Sequence, residues 1–248
     1  QGSLEALWVI NLLKELSDDR AAKWLQSSNA DIRRWVIRLL GDQHRSHEAL
    51  IDAAKDEPDA QVRSQLAATA KRIDAKVALP IIRSLLANDA DANDPQIPLM
   101  IWWALEGQSS AWPEIKLMLN DPKTWKLPIF RDHIASRLMQ RYAASGSPTE
   151  LQRCAELLEL APEADDRERL MTGLNRAFQG QSLPTLPERL ARALKNYQAS
   201  LGDSGLVLGM RQGQTETAQK AIAVLRNRTA DLGIQLEIAK TLGEVKYP

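Results

Sequence analysis

Apolar residues along this chain return at intervals of three and four. Leu7, Trp8, Ile10, Leu13 and Leu16 keep that spacing, as do Ile32, Trp35, Val36, Leu39 and Leu40. The stripe recurs at Val62, Leu66, Ala70 and Ile73, and again at Ile234, Leu236, Ile238 and Leu242. Such a period lays one apolar face along a helix. Strict alternation over a β-branched stretch, which would mark a half-buried strand, does not occur. Turn signals punctuate the pattern at Gly41-Asp42, Glu57-Pro58-Asp59, Asp94-Pro95, Asp121-Pro122, Gly146-Ser147-Pro148 and Gly180. The stretches between them have the length of ordinary globular helices. The pattern predicts an all-α chain of about fourteen helices with no strand.

The helices also repeat. Asn29-Ala30-Asp31-Ile32-Arg33 opens one helix and Asp59-Ala60-Gln61-Val62-Arg63 opens another, with Ile32 and Val62 62 − 32 = 30 residues apart. Asp94-Pro95-Gln96-Ile97 returns to the same turn 97 − 62 = 35 residues later. Shorter apolar helices, at Leu50 to Ala54 and Leu79 to Leu86, come before such openings. The unit reappears as Ala221 to Leu225, a turn, then Leu232 to Val245. In each unit a short polar residue accepts hydrogen bonds from the free N–H groups of the second helix. The next β-branched residue begins the buried stripe, and the Arg after it can reach an acid of a neighbouring turn. One pair cannot bury its own apolar face, so pairs must stack. This is the logic of an α-α superhelix, a HEAT- or armadillo-like solenoid, with a period under the usual ~40 residues in the first half. The expectation is one array over 1–248, more regular in 18–105 and less so in 120–205. A long connection runs through Gln181-Ser182-Leu183-Pro184-Thr185-Leu186-Pro187 in the less regular part.

A solenoid usually ends in a repeat with a polar outer face. Here the chain enters an apolar helix at once and finishes on Leu242-Gly243-Glu244-Val245, and it lacks an initiator Met. The reading is a segment of a longer polypeptide.

Charge narrows the choice of partner. Lys plus Arg and Asp plus Glu number 32 each. A dedicated nucleic-acid binder carries a basic excess, so no nucleic-acid partner is expected and protein is. No apolar run approaches the roughly 18 residues of a membrane span, and no basic region leads into an apolar stretch at the start. Direct membrane insertion is therefore not expected. Cys154 is the sole cysteine, which rules out an internal disulfide and a Cys-x-x-Cys-His haem attachment.

Residues that could carry chemistry have simpler explanations. His44 and His47, with Glu48, have a spacing that two metal ligands can use, but nothing completes a coordination shell. They read as turn histidines, and His133 reads as structural. Asp165 and Asp166, with Glu163 and Glu168, sit where a helix should begin and suit its dipole. Nothing suggests the burial that acid–base catalysis would need. Arg33, Arg34, Arg38, Arg63, Lys71 and Arg72 recur on second helices of pairs. They suit either a stripe for phosphate or an acidic partner, or an Asp–Arg ladder between repeats beside a solvated face, and the balanced charge favours the ladder. No Gly-x-Ser-x-Gly elbow or phosphate loop occurs, and Ser204, Gly205 and Gly209 cradle nothing. Cys154 reads as a small buried side chain. No catalytic, cofactor-binding or metal-ligating residue emerges.

Trp supplies seven of the few aromatic residues. Trp8, Trp24, Trp35, Trp112 and Trp125 read as core or inter-repeat packing. Trp102 and Trp103 are adjacent, hence about 100° apart on a helix. Core packing of both is the favoured reading, because most Trp is largely buried. An exposed member would be a docking candidate, since Trp is enriched at interface hot spots. The candidate partner contacts are therefore Trp102, Trp103, Arg34 and Arg38.

Four segments carry a likeness to a known family. They are Ile32-Arg33-Arg34-Trp35-Val36-Ile37-Arg38-Leu39-Leu40-Gly41-Asp42, Val62-Arg63-Ser64-Gln65-Leu66-Ala67, the stretch from Asp94 to Glu106 with its paired Trp, and Arg141-Tyr142-Ala143-Ala144. Together they resemble the helical region of the PVC-type haem-binding, membrane-bound-dehydrogenase-type proteins of planctomycetes and verrucomicrobia. The resemblance implies a sugar-dehydrogenase-like β-propeller before this region and a c-type cytochrome domain after it, in an exported or periplasmic protein. The haem would belong to that neighbouring domain, and no cofactor is implied within this chain. What transfers is a scaffold or protein-interaction role linking the two redox domains. The alternative is a free-standing peptide- or protein-binding solenoid. An enzyme or nucleic-acid binder on the same fold is a third reading, which would need a basic concave groove with a buried carboxylate. Flat apolar patches at both solenoid ends would favour the first reading, and an exposed aromatic groove of neutral potential the second.

Overall fold

The computed structural model describes residues 4–179, 185–200, 205–211 and 213–245. Among these the chain is all-α, with sixteen α-helices and no strand. The excess over the fourteen expected reflects pieces such as those at Pro122–Lys126 and Gly205–Arg211, too short to display a helical period. The turn at Gly180, residues 181–184 and Ser204 lie outside the described residues. The chain divides into two compact units, Gln1–Ile134 and Ala135–Pro248.

The first unit holds α1 (Leu4–Leu12), α2 (Asp18–Leu25), α3 (Ala30–Asp42), α4 (Ala49–Lys55), α5 (Ala60–Ala70), α6 (Ala75–Leu86), α7 (Ile97–Gly107), α8 (Trp112–Leu119) and α9 (Pro122–Lys126), then a π-helical turn at Phe130–Ile134. Its helices stack in two rows. In one row α1 packs on α3, α3 on α5 and α5 on α7; in the other α2 packs on α4, α4 on α6 and α6 on α8.

Each second helix begins as its sequence suggests. Asn29 Oδ1 accepts from the Asp31 N–H at 2.8 Å, and Asp59 Oδ1 accepts from Gln61 and Val62 at 2.8 and 3.1 Å. Asp94 Oδ1 takes the N–H groups of Gln96 and Ile97, both at 2.8 Å. These bonds satisfy donors that a helix start leaves free. The β-branched residues that follow, Ile32, Val62 and Ile97, are all buried.

A ladder of arginines ties successive pairs together. The Arg33 Nη1 donates to the Ser27 carbonyl at 2.8 Å, while its Nε and Nη2 take the Glu57 carboxylate at 2.8 and 2.5 Å. Arg63 repeats this geometry, with Nη1 to the Glu57 carbonyl at 2.9 Å and Nε and Nη2 to Asp91, each at 2.6 Å. Both pairs are enclosed, and the Arg63–Asp91 side chains are 8% and 4% exposed. Two parallel charge-assisted bonds give each rung a fixed orientation as well as strength. The expected ladder is present, although Glu57 rather than an Asp forms its first acceptor. At the third opening Pro98 stands where the arginine would be, and the ladder stops.

Close approach between successive helices of the first row depends on small groups. A Cβ on Gly41 would lie 2.7 Å from Thr69 Oγ1, whose hydroxyl donates to the Ile37 carbonyl at 3.0 Å. At the far ends of α5 and α7, the buried Gln108 amide donates to the Ala70 and Ile73 carbonyls at 2.8 and 2.9 Å.

The second unit comprises α10 (Ala135–Ser145), α11 (Pro148–Leu160), α12 (Ala164–Ala177), α13 (Glu188–Ser200), α14 (Gly205–Arg211), α15 (Thr215–Arg226) and α16 (Leu232–Glu244). Here α10 packs on α12 and α11 on α13, while α14 contacts α13, α15 and α16. The α10–α12 crossing is tight: a Cβ on Gly173 would sit 1.9 Å from the Ser136 carbonyl oxygen. Every residue of α14 is buried. Its Arg211 donates to the Phe178 carbonyl at 2.9 Å and to the Glu244 carboxylate at 2.5 Å.

Two apolar stripes behave differently from their sequence reading. In α1 only Leu7 is buried, while Trp8, Val9 and Leu12 are exposed, as is Leu13 just beyond. In α16 Ile238 is buried, but Leu232 and Leu236 are exposed. Of the two readings open for Trp8, core or inter-repeat packing, the structure shows the second: the exposed ring meets Trp35 edge-on, with ring centroids 5.4 Å apart. Trp112 and Trp125 are buried as expected, and Trp24 and Trp35 are half-buried.

Candidate functional site

The outer sides of α3, α5 and α7 form a shallow groove. From α3 come Arg34, Trp35 and Arg38. Positions 34 and 38 are four apart, which puts both guanidiniums on one face. Arg34 Nη2 bonds Asp31 Oδ1 at 2.8 Å. The Arg38 guanidinium lies over the Trp35 ring, 5.0 Å from its centroid, with Nε 3.7 Å from Asp42. Stacking on an aromatic face holds an arginine while leaving its edge in water.

From α5 and its end come Ser64, Gln65, Lys71 and Arg72, and from α7 come Met100 and Trp103. The Ser64 hydroxyl donates to the Met100 sulfur at 3.0 Å, and Arg72 pairs with Asp42. Two adjoining hollows of about 370 and 230 Å³ lie between the helices, and Arg38, Gln65 and Met100 line both.

Three of the four candidate contacts therefore meet in one place. Arg34 and Arg38 border the groove, and Trp103 stands on its far wall, 46% exposed. Trp102 does not join them, because it is turned into the core. The expectation that both indoles are core residues fails for Trp103, which the helix turns outward by the angle separating neighbours. Sequence reasoning missed Trp35 and Met100 as groove residues. Met100 lies three before Trp103 on the same helix face, which is the signal that could have found it.

The remaining candidates are held in structural roles. His44 Nδ1 lies 2.9 Å from the Arg72 carbonyl oxygen, and His47 Nδ1 accepts from the Ala49 N–H at 3.0 Å. His133 Nε2 is 3.1 Å from the Ala92 carbonyl oxygen. Among the described residues no three His, Cys, Asp or Glu side chains gather closely enough to share a metal ion.

Glu163, Asp165 and Glu168 are exposed, but Asp166 is buried, which nothing in the sequence suggested. Burial raises its carboxyl pKa, partly opposed by a bond from the Glu163 N–H. That bond from the third helical position back to the cap is one half of a capping box. It brings the side chain inward over its own helix start. Cys154 is fully buried, and desolvation pushes its thiol up to about 12, so little reactive thiolate forms near neutrality.

No helix among the described residues is long and apolar enough to cross a membrane. In comparisons with known proteins, no family model and no curated protein matches the chain.

Proposed function

We propose that this chain is a non-catalytic, HEAT-like solenoid whose role is to hold or contact other protein. The observation that carries this reading is the apolar surface left open on α1 and α16: Trp8, Val9, Leu12 and Leu13 on the first, Leu232 and Leu236 on the second. Contiguous apolar surface of this kind is characteristic of protein contacts. The enclosed charges support the same role, because Arg33 and Arg63 are engaged in joining helix pairs. In the setting implied by the family resemblance, the contacted neighbours are a dehydrogenase-like propeller and a c-type cytochrome domain of the same exported polypeptide. Any haem would be carried by that cytochrome domain.

A second reading, a free-standing peptide- or protein-binding solenoid, is favoured by the exposed Trp103 in its groove.

Photo-crosslinking tests the main reading. Benzoylphenylalanine replaces Leu12, Leu236 or, as a polar control, Lys55, in cells making the natural polypeptide. The first two positions are expected to give discrete crosslinks that map to defined protein segments, and Lys55 none. Equal yields at all three positions, or no crosslink at Leu12 and Leu236, would overturn it.

A further inference from the structure

Resting on the protein-contact reading, we propose that the groove across α3, α5 and α7 binds an acidic peptide segment through one large apolar side chain and its flanking carboxylates. Four cations, Arg34, Arg38, Lys71 and Arg72, line the two hollows against the lining carboxylate of Asp42 and the Asp31 carboxylate bonded to Arg34, which leaves 4 − 2 = 2 positive charges in excess. Asp42 is shared between Arg38 and Arg72, so it neutralises neither fully. Lys71 has no ion pair among the described residues. The chain as a whole is neutral, so this excess is local to the groove. A local excess of one sign steers and selects a partner of the other.

Trp103 exposes almost half its surface beside Met100, whose flexible thioether adapts to an incoming apolar group. A rigid indole next to an adaptable wall suits one anchoring side chain, in the manner of an interface hot spot. The hollows are sized for single side chains and lie between helices, which suits a peptide segment better than the face of a folded domain. Gln65 lines both hollows, its amide Nε2 donating to Thr69 Oγ1 at 3.4 Å. A nucleic acid is the less favoured occupant. The groove's excess is confined to a few side chains, and the neutral chain lacks the broad basic surface from which phosphate binding draws its affinity.

The probe is a fluorescein-labelled peptide of Glu and Asp residues around one central Phe, followed by fluorescence anisotropy on the whole chain. Saturable binding is expected, weakened about tenfold or more by Lys71→Glu and by Trp103→Ala. Lys71→Glu should melt like the parent by circular dichroism, since Lys71 faces solvent, and Trp103→Ala, which also gives up packed indole surface, is compared below its own melting transition. Lys55→Glu, away from the groove, should bind as the parent does, and a Lys-for-acid version of the peptide should not bind. The proposal falls if the acidic peptide does not saturate, or if Lys71→Glu and Trp103→Ala bind it unchanged. It also falls if a single-stranded oligonucleotide binds more tightly through the same two residues. The crosslinks at Leu12 and Leu236 are read separately. Their presence without peptide binding sinks the groove proposal alone, and their absence sinks the scaffold reading.

Discussion

Glu57 binds two arginines through different atoms: its carboxylate receives Arg33, and its backbone carbonyl receives Arg63. Arg63 stands 63 − 33 = 30 residues after Arg33 and hands the same arrangement on to Asp91. The charges of the stack are therefore matched by neighbours in space that lie far apart in the chain. Enclosure makes that matching consequential, because a charge deprived of its partner there cannot be solvated cheaply.

Loss of one member of the inner rung should accordingly cost more than loss of both. Asp91→Ala is expected to destabilise the protein by about 3–5 kcal/mol, since it strands the Arg63 guanidinium. Arg63→Met with Asp91→Leu should recover most of that loss. Urea unfolding of the two variants against the parent checks the order.

Much of this rung was legible because its pieces are local. The caps at Asn29, Asp59 and Asp94 and the β-branched residues after them lie within a few positions of one another, so a short window reveals them. The arginine position was equally visible. Its acceptor was not, because Glu57 and Asp91 lie in turns whose distance from Arg33 and Arg63 is bridged only when pairs stack. The indoles show the same limit. Periodicity says that Trp102 and Trp103 point apart but not which neighbour lies on each side, and only the packed helices around α7 make Trp102 the enclosed one. The stripes of α1 and α16 read as buried because a helical period reports an apolar face, not whether anything covers it.

A helix crossing gives a second expectation. The 1.9 Å approach of a Gly173 Cβ to the Ser136 carbonyl leaves no room for a methyl group, and the obstructing atom is backbone. Gly173→Ala should lower stability by about 1–3 kcal/mol or more, despite the better helix propensity of Ala. Gly243→Ala, on α16 with open space around it, should instead stabilise by about 0.5–1 kcal/mol. Thermal melts of the two single variants are expected to move in opposite directions.

Two aspartates should titrate on opposite sides of the ordinary carboxyl range. The N–H groups of Ile97 and Gln96 hold Asp94 below it, and burial lifts Asp166 above it. For Asp94 the folded value lies under the unfolded one. Its stabilising contribution is thus present above the unfolded value and is lost as pH falls through the folded value. For Asp166 the order is reversed: the favourable state is the protonated one, present below the unfolded value and lost as pH rises through the folded value. Carboxyl-carbon NMR titration should show the two midpoints displaced in those directions. Asp166→Asn, which mimics the neutral acid, should gain stability relative to the parent as pH rises from about 3 to 6.

The segment from Glu57 to Asp91 has a polarity of its own: it opens on a group that accepts the preceding arginine and supplies an arginine for the group that closes it. A tandem copy of residues 58–91 would bring one arginine and one closing acceptor per unit, with Asp91 standing to the next copy as Glu57 stands to this one, whereas a cut inside it would leave an enclosed charge without a counterpart. The stack is thus modular in a chemical sense, free to lengthen or shorten by whole units while fractional changes are penalised. Pro98 marks the place where that modularity ends.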